Sequence, residues 1–283
     1  MTTPDKLTVG DGIAAANASW TFGNDVARTF SSHVSKSVPL YDEGHDLICA
    51  LSDFYVQDSS VCYELGSSTG ILSSKLARRH ANKKARFIGI ETIPEMVAQA
   101  REESGPLQNL EFVQDDINLY QYEPADLIVS FCTIQFVPPH LRQALFDKLY
   151  QSLNWGGALL IYEKVRAPDA RFQDQMSAIY TDYKLERGYS PEEIIAKARS
   201  LKRVQEPFST QGYIDLYKRA GFVDIMSVIK WVCFEGFLAI KCGGHVQRAQ
   251  AMDSALDVAA FLERANAEVK SHPGHEDFAN RRP

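Results

Sequence analysis

The chain has 283 residues, 45% apolar and 23% charged, which excludes a disordered protein and allows one sizeable core. Its 30 basic and 36 acidic residues leave a formal charge of −6, the wrong balance for a protein that lives on phosphate contacts. A small-molecule substrate is therefore expected, with no direct nucleic-acid partner. The five cysteines show no C-x-x-C pair and outline neither a disulfide framework nor a zinc site. Together with the lack of a signal-peptide pattern and of any apolar run of membrane-spanning length, this leads us to expect a cytoplasmic protein without a membrane partner.

In chain order, residues 1–18 lack a clear period and are expected to be a mobile or loosely docked arm. Trp20, Phe22, Val26, Phe30, Val34 and Val38 recur at helical spacing, predicting a short helix that ends before Pro39. A second helix is predicted over Tyr41–Tyr55. Strand and helix signals then alternate: strand 60–65, helix 70–80, strand 85–90, helix 94–103, strands 110–114 and 125–132, and helix 139–153. Asn154-Trp155-Gly156-Gly157 reads as a turn before a strand over 158–163. Repeats of this length imply an α/β fold, a mainly parallel sheet with helices on both faces. The polar helices of about 165–206 interrupt the rhythm and are expected to form a lid over the sheet's carboxyl edge. Ser190 with Pro191 marks a helix start within them. A helix over 211–220 and strands over 225–231 and 233–241 close a sheet of seven strands. The cofactor-binding domain thus covers 19–242, and 245–283 is a separate segment. It holds an amphipathic helix of about 247–270, carrying Met252, Leu256, Ala259, Leu262 and Val269, and a polar tail.

The chemistry is concentrated in Tyr63-Glu64-Leu65-Gly66-Ser67-Ser68-Thr69-Gly70, directly after the first strand of this alternation. Gly66 permits a tight turn, and Gly70 permits close approach of the next helix to a ligand. A dinucleotide site would read G-x-G-x-x-G and seat a pyrophosphate on the helix N-terminus. Here the middle glycine is missing, and E-x-G-x-x-x-G suits S-adenosyl-L-methionine, which has no phosphate. Glu91, followed by Thr92, closes the second strand, where a carboxylate can accept from both ribose hydroxyls. Asp116 closes the third and can accept from the adenine amino group, while Ile117 packs on the ring. Glu64, Gly66, Ser67, Ser68, Gly70, Glu91, Thr92, Asp116 and Ile117 are accordingly the candidate cofactor residues, with no metal ligands among them.

Read with Trp20-Thr21-Phe22, Ser37-Val38-Pro39, Gln135-Phe136, Glu163-Lys164, Gly188-Tyr189-Ser190 and Ala220-Gly221-Phe222, these motifs resemble the carboxy-S-adenosyl-L-methionine synthase family, a branch of the Rossmann-like class I methyltransferase fold. The likeness spans roughly residues 19–241. It implies a homodimer that takes S-adenosylmethionine and prephenate and makes a carboxylated cofactor for tRNA wobble-uridine modification. It also implies that a tyrosine, matched by Tyr41, and an arginine hold the added carboxylate, and it adds Tyr41 and Phe131 to the candidate cofactor residues. The chain departs from the family twice. Ala198 stands at the arginine's position with Arg199 one residue later, and Phe131 stands where the family has an asparagine beside the cofactor. One residue along a helix is about 100° of rotation. The first reading is therefore methyl transfer to a small, acidic acceptor, with Tyr41, Arg199 and Tyr180 as catalytic candidates and His33 and Tyr183 near them. Carboxyl transfer, with Arg199 restored by a helix shift, is the alternative. A non-catalytic cofactor-binding partner protein is a third reading.

Overall fold

The computed structural model describes residues 7–10, 13–22 and 26–242. The helix expected over about 247–270 and the polar tail lie outside the described residues. The chain divides into a unit Met1–Lys241 and a second unit Cys242–Pro283, and the architecture below belongs to the first.

The N-terminal stretch, expected to be mobile or loosely docked, is pinned in its described part. β1 (Leu7–Thr8) pairs antiparallel with β2 (Ala14–Ala15), and Val9 between them has no exposed surface. Two-residue strands are too short to show a period, so they left no trace in the sequence pattern. α1 (Val26–Ser37) stops ahead of Pro39, whose missing N–H cannot continue a helix. α2 (Tyr41–Ser52) begins after Leu40, which is held at φ +54°.

The alternating region follows as β3 (Val61–Leu65), α3 (Ile71–Arg79), β4 (Arg86–Glu91), α4 (Pro94–Ser104), β5 (Leu110–Gln114) and β6 (Ala125–Phe131). A 3₁₀ turn (Ile134–Phe136), α5 (Pro139–Ser152) and β7 (Leu153–Lys164) continue it. Two inserted helices, α6 (Ala170–Glu186) and α7 (Pro191–Ser200), precede α8 (Thr210–Ala220), β8 (Asp224–Trp231) and β9 (Phe234–Ile240). The seven-stranded sheet has the order β5-β4-β3-β6-β7-β9-β8, parallel through β7 and antiparallel across the last two strands. Its strands are apolar because both faces are covered. Ile128, Leu159 and Ile161 pack on one face with α5 and α8, through Phe146, Leu149, Tyr213 and Tyr217. Leu127, Val129 and Leu160 pack on the other face with Ile48 of α2 and Leu72 and Leu76 of α3. Among the described residues, no helix is long and apolar enough to cross a membrane.

The turn expected at Asn154–Gly157 is instead an outward bulge within β7. Ala125 pairs with Leu153 and Leu127 with Ala158, so the four residues are extruded opposite Asp126. Gly156 at φ +78° supplies the left-handed step, and Trp155 is exposed.

Gly70, at φ +75°, has a packing role: a Cβ there would overlap the Phe112 ring and lie 3.0 Å from the Ala100 Cβ. Gly70→Ala is expected to lower the unfolding free energy by about 1–3 kcal/mol from backbone strain alone. Urea denaturation reads this, and an unchanged midpoint would contradict the packing role.

Candidate functional site

The chain leaves β3 for β4 on one side and reaches β6 on the other, so the loops beyond their carboxyl ends diverge. A cavity of about 930 Å³ fills that crevice and continues beneath α6 and α7. That is near the top of the range of about 300–1,000 Å³ for single-ligand sites, leaving room for a cofactor and a small second molecule.

One half is built by the turn after β3. Gly66, Ser68 and Gly70 all have left-handed φ, at +66°, +50° and +75°. The N–H groups of Gly66 and Ser67 both donate to the Ile90 carbonyl, at 2.8 and 3.0 Å. Gly66 must be glycine because a Cβ would overlap the Thr133 side chain. Glu91 ties this turn to the next loop, accepting the N–H groups of Ser68 (3.0 Å), Thr92 (2.8 Å) and Ile93 (3.0 Å). The Thr92 hydroxyl is a fourth donor, at 3.3 Å on Oε1, so the position open to a ribose hydroxyl is on Oε2, which accepts only the Ser68 N–H. Asp116 Oδ1 accepts from the Asn118 backbone (2.8 Å) and side chain (2.7 Å). Ser67 and Asn118 line the cavity beside these carboxylates. A ligand rich in hydroxyl and amino groups, as an adenosyl group is, would find hydrogen-bonding partners along this wall, so the residues fit the expected cofactor. Among the described residues, no His, Cys, Asp and Glu cluster could hold a metal ion.

Next to this half, Phe131 lies between Tyr41 (ring centroids 5.5 Å apart), His45 (4.5 Å) and Tyr162 (4.6 Å). Gly44 leaves space for the ring, since a Cβ there would come within 2.9 Å of Phe131 Cε2. Burial raises the Tyr41 phenol pKa, with Glu64 adding to it, and lowers His45 to about 3 with the help of Lys75. Tyr41 is therefore a neutral phenol and His45 a neutral imidazole. Glu64, bonded to the Ser73 hydroxyl, is pushed up to about 8 by burial.

The other half has an aromatic wall and a cationic one. Phe22 meets Phe136 edge-on at 4.9 Å and Trp20 at 5.8 Å. Lys164, Lys184 and Lys202 also line this half, and Lys197 lies over the Trp20 ring, its Nζ 2.6 Å from the centroid. Tyr180 is fixed there by its hydroxyl, which donates to the Ser37 carbonyl at 2.7 Å.

Of the candidates from sequence, Tyr41, Glu64, Gly66, Ser67, Ser68, Glu91, Thr92, Asp116, Ile117, Phe131 and Tyr180 line this one cavity. Gly70 does not, because its freedom serves helix packing. Arg199 does not either, which corrects its expected role. On α7 Ile194, Lys197 and Ala198 face the cavity, continued by Leu201 and Lys202 in the turn that follows it, and Arg199 is turned away and exposed. That i, i+3, i+4, i+7, i+8 spacing was the signal that excluded Arg199. The lysines were given no site role from sequence, and neither was Glu163, although Glu163-Lys164 is one of the motifs that carry the resemblance. Glu163 accepts the N–H groups of Thr133 (3.0 Å), Ile134 (2.8 Å) and Gln135 (3.1 Å), holding the turn that carries the cavity wall.

Residues 63–157 match a family model described as a methyltransferase domain. A carboxy-S-adenosyl-L-methionine synthase from Staphylococcus epidermidis is 34% identical over 226 residues, covering 78% of this chain and 97% of that protein. A protein of the same name from Campylobacter lari is 34% identical over 222 residues, covering 78% of this chain and 94% of its own length. The solved S-adenosylmethionine-dependent methyltransferase SibL superposes with a TM-score of 0.54 over 76% of this chain and 57% of its own, at 15% identity, a likeness of fold alone.

Glu64 makes stability depend on pH. Burial raises its folded pKa to about 8, above the ordinary 4.5 of a glutamate, so the folded state holds the extra proton between those values. The stability this proton gives is complete below the lower value and is lost as pH rises through the upper one. Between pH 6.5 and 8 the ligand-free protein should lose stability with a slope of up to about 1.4 kcal/mol per pH unit from this group. Glu64→Gln should flatten that slope in urea unfolding. Equal slopes in the two proteins would refute a raised Glu64.

Proposed function

The chain belongs to the carboxy-S-adenosyl-L-methionine synthase family, and from that membership and the cavity we propose that it transfers the methyl group of S-adenosyl-L-methionine to a small, acidic acceptor. The carrying observation is that Ala198, not Arg199, faces the cavity at the family's arginine position. A carboxylate borne on the cofactor would meet no guanidinium there, and Phe131 offers it no hydrogen bond in place of the asparagine.

The cofactor, when bound, supplies a methyl group already activated by a sulfonium. The turn Gly66–Ser68, with Glu91 and Asp116, would hold the adenosyl moiety. Tyr41 and Phe131 would present aromatic surface to the cationic end. The chain's part in the reaction is positioning and exclusion of water, with a base needed only if the attacking atom must lose a proton. Tyr180 frames the acceptor half. The proposal also puts the enzyme in the cytoplasm as a homodimer, supported by the free thiols of Cys49, Cys62, Cys132 and Cys233 for the first and the family likeness for the second.

Carboxyl transfer is the second reading, favoured by one observation: Lys164 and Lys184 give the cavity another cationic wall. Mass spectrometry after incubation with S-adenosylmethionine and prephenate separates the two. The methyl-transfer reading expects no carboxylated cofactor and no phenylpyruvate, and either product would overturn it. It further expects Ala198→Arg combined with Phe131→Asn to tighten binding of the carboxylated cofactor at least about tenfold, a gain of about 1.4 kcal/mol. Isothermal calorimetry should find S-adenosylmethionine binding little changed. Wild-type protein that already prefers the carboxylated compound would sink the reading.

A further inference from the structure

Two opposite charges grip one turn through its two kinds of backbone group. Glu163, at the end of β7 and with no exposed surface, accepts the N–H groups of Thr133, Ile134 and Gln135. Arg142, on α5 and equally buried, donates through Nε to the Val137 carbonyl at 2.8 Å and through Nη2 to the Gln135 carbonyl at 3.2 Å. The carboxylate thus takes the turn's donors and the guanidinium its acceptors. Gln135 is the crossing point. Its side chain donates to the Cys132 carbonyl at 3.1 Å and accepts the Lys164 N–H at 3.3 Å, and its own carbonyl also accepts the Glu206 N–H at 2.9 Å. The Arg142 guanidinium lies 4.3 Å from the centroid of the Phe208 ring, so the segment that follows α7 is fastened to the same clip.

This turn meets the cofactor half directly. A Cβ on Gly66 would overlap the Thr133 side chain, so the position of Thr133 limits where the glycine turn can run. Thr133, Gln135, Phe136 and Val137 all line the cavity. The chain enters the turn at Cys132 with φ +58°, a conformation that a residue with a Cβ keeps only where its surroundings enforce it. Protonation of Glu163 would set a hydroxyl against a backbone N–H, donor against donor, and release part of the turn. Arg142 is the charge that faces Glu163 from α5. Tyr213 and Tyr217 face it from α8 and Cys132 from the end of β6, all three kept neutral by burial. Glu235, its register partner on β9, is paired with Lys230 at 2.8 Å, and Arg142 also faces Glu206. Burial pushes Glu163 up to about 7 from the ordinary 4.5, against the pull of the N–H bonds and of Arg142.

We propose that Glu163 and Arg142 are positioning residues for the cofactor: acting through the turn Thr133–Val137, their two charges hold the wall against Gly66 in the form that binds. Cofactor affinity is therefore gated by the ionisation of this clip. The inference rests on the cofactor half alone and holds whichever group is transferred.

Calorimetry with S-adenosylhomocysteine tests this from about pH 8 to about pH 6. The clip is ionised above about 7 and loses its charge as pH falls through that value. Near pH 6 only about a tenth of the protein is then competent, so affinity should fall about tenfold. Near pH 6.5, two buffers of different ionisation enthalpy should show release of about half a proton or more on binding. Glu163→Gln, neutral at every pH, should bind throughout at about the level of wild-type protein near pH 6, without that proton release. Arg142→Met should move the midpoint of the decline to higher pH, because the carboxyl loses the cation that favours its charged form, and Arg142→Lys should bring it most of the way back. Glu64 lines the same cavity and is pushed up to about 8, so the profile is repeated in Glu64→Gln protein, where the decline through about pH 7 should persist. A flat profile, proton uptake, a decline that Glu163→Gln keeps or Glu64→Gln loses, or an unmoved midpoint in Arg142→Met would overturn the clip. The wild-type and Glu64→Gln profiles decide the matter even where Glu163→Gln does not fold. Failure of S-adenosylhomocysteine to bind wild-type protein near pH 8 would instead overturn the cofactor site itself, so the two failures are distinguishable.

Discussion

Two buried carboxylates hold the crevice open. Where strand order reverses about β3, the backbone must leave the sheet in two directions, and the loop N–H groups lose their ladder partners. Glu91 takes three of them on one wall, from Ser68, Thr92 and Ile93, and Glu163 takes three on the other, from Thr133, Ile134 and Gln135. A charge in such a place is tolerable only because charge-assisted bonds to the backbone replace its water. The walls are therefore set before any ligand arrives. Burial still pushes Glu163 up to about 7 against those bonds, so the clamp has little margin.

The two halves of the cavity differ in how they are made. The half beside β3 and β4 is part of the sheet's own connections, and its turn residues have no freedom left. The half beneath α6 and α7 is an addition, attached by a few specific contacts. Tyr180 bonds to the Ser37 carbonyl and Tyr189 to the His33 carbonyl, while the Trp20 N–H bonds to the Ser200 carbonyl. The N-terminal hairpin completes this outer wall, with Gly10 admitting the Tyr189 ring so closely that no Cβ would fit. Cofactor recognition thus resides in the frame. Acceptor recognition, in our proposal, resides in elements that can change without disturbing it.

That division explains what could be read from residues alone. The alternation of strand and helix was legible because strands buried on both faces must be continuously apolar and the helices must show one apolar stripe. The glycine turn and the acids at strand ends were legible because each sits at a fixed distance from a strand. Gly70 was assigned to ligand approach because a glycine at a strand-to-helix turn has two uses, and only the Phe112 ring behind it decides between them. The lysines carry no local mark: Lys164 and Lys184 are 20 positions apart in sequence, and only folding brings them to one ring. Arg199 was a legible error, since the stripe on α7 that includes Ala198 leaves it outside.

The residues around the reacting end form a consistent set. A phenyl ring at position 131 needs volume, and Gly44 on the facing turn of α2 supplies it. The ring then packs with Tyr41, His45 and Tyr162 into an aromatic block in which nothing is charged at neutral pH. On the far wall Ala198 brings neither bulk nor charge, while Lys164 and Lys184 place positive charge on the side of the cavity beneath α6. A carboxylate would be better neutralised on a second molecule there than on a cofactor beside Phe131. That distribution is the physical reason for assigning the acid group to the acceptor in our proposal.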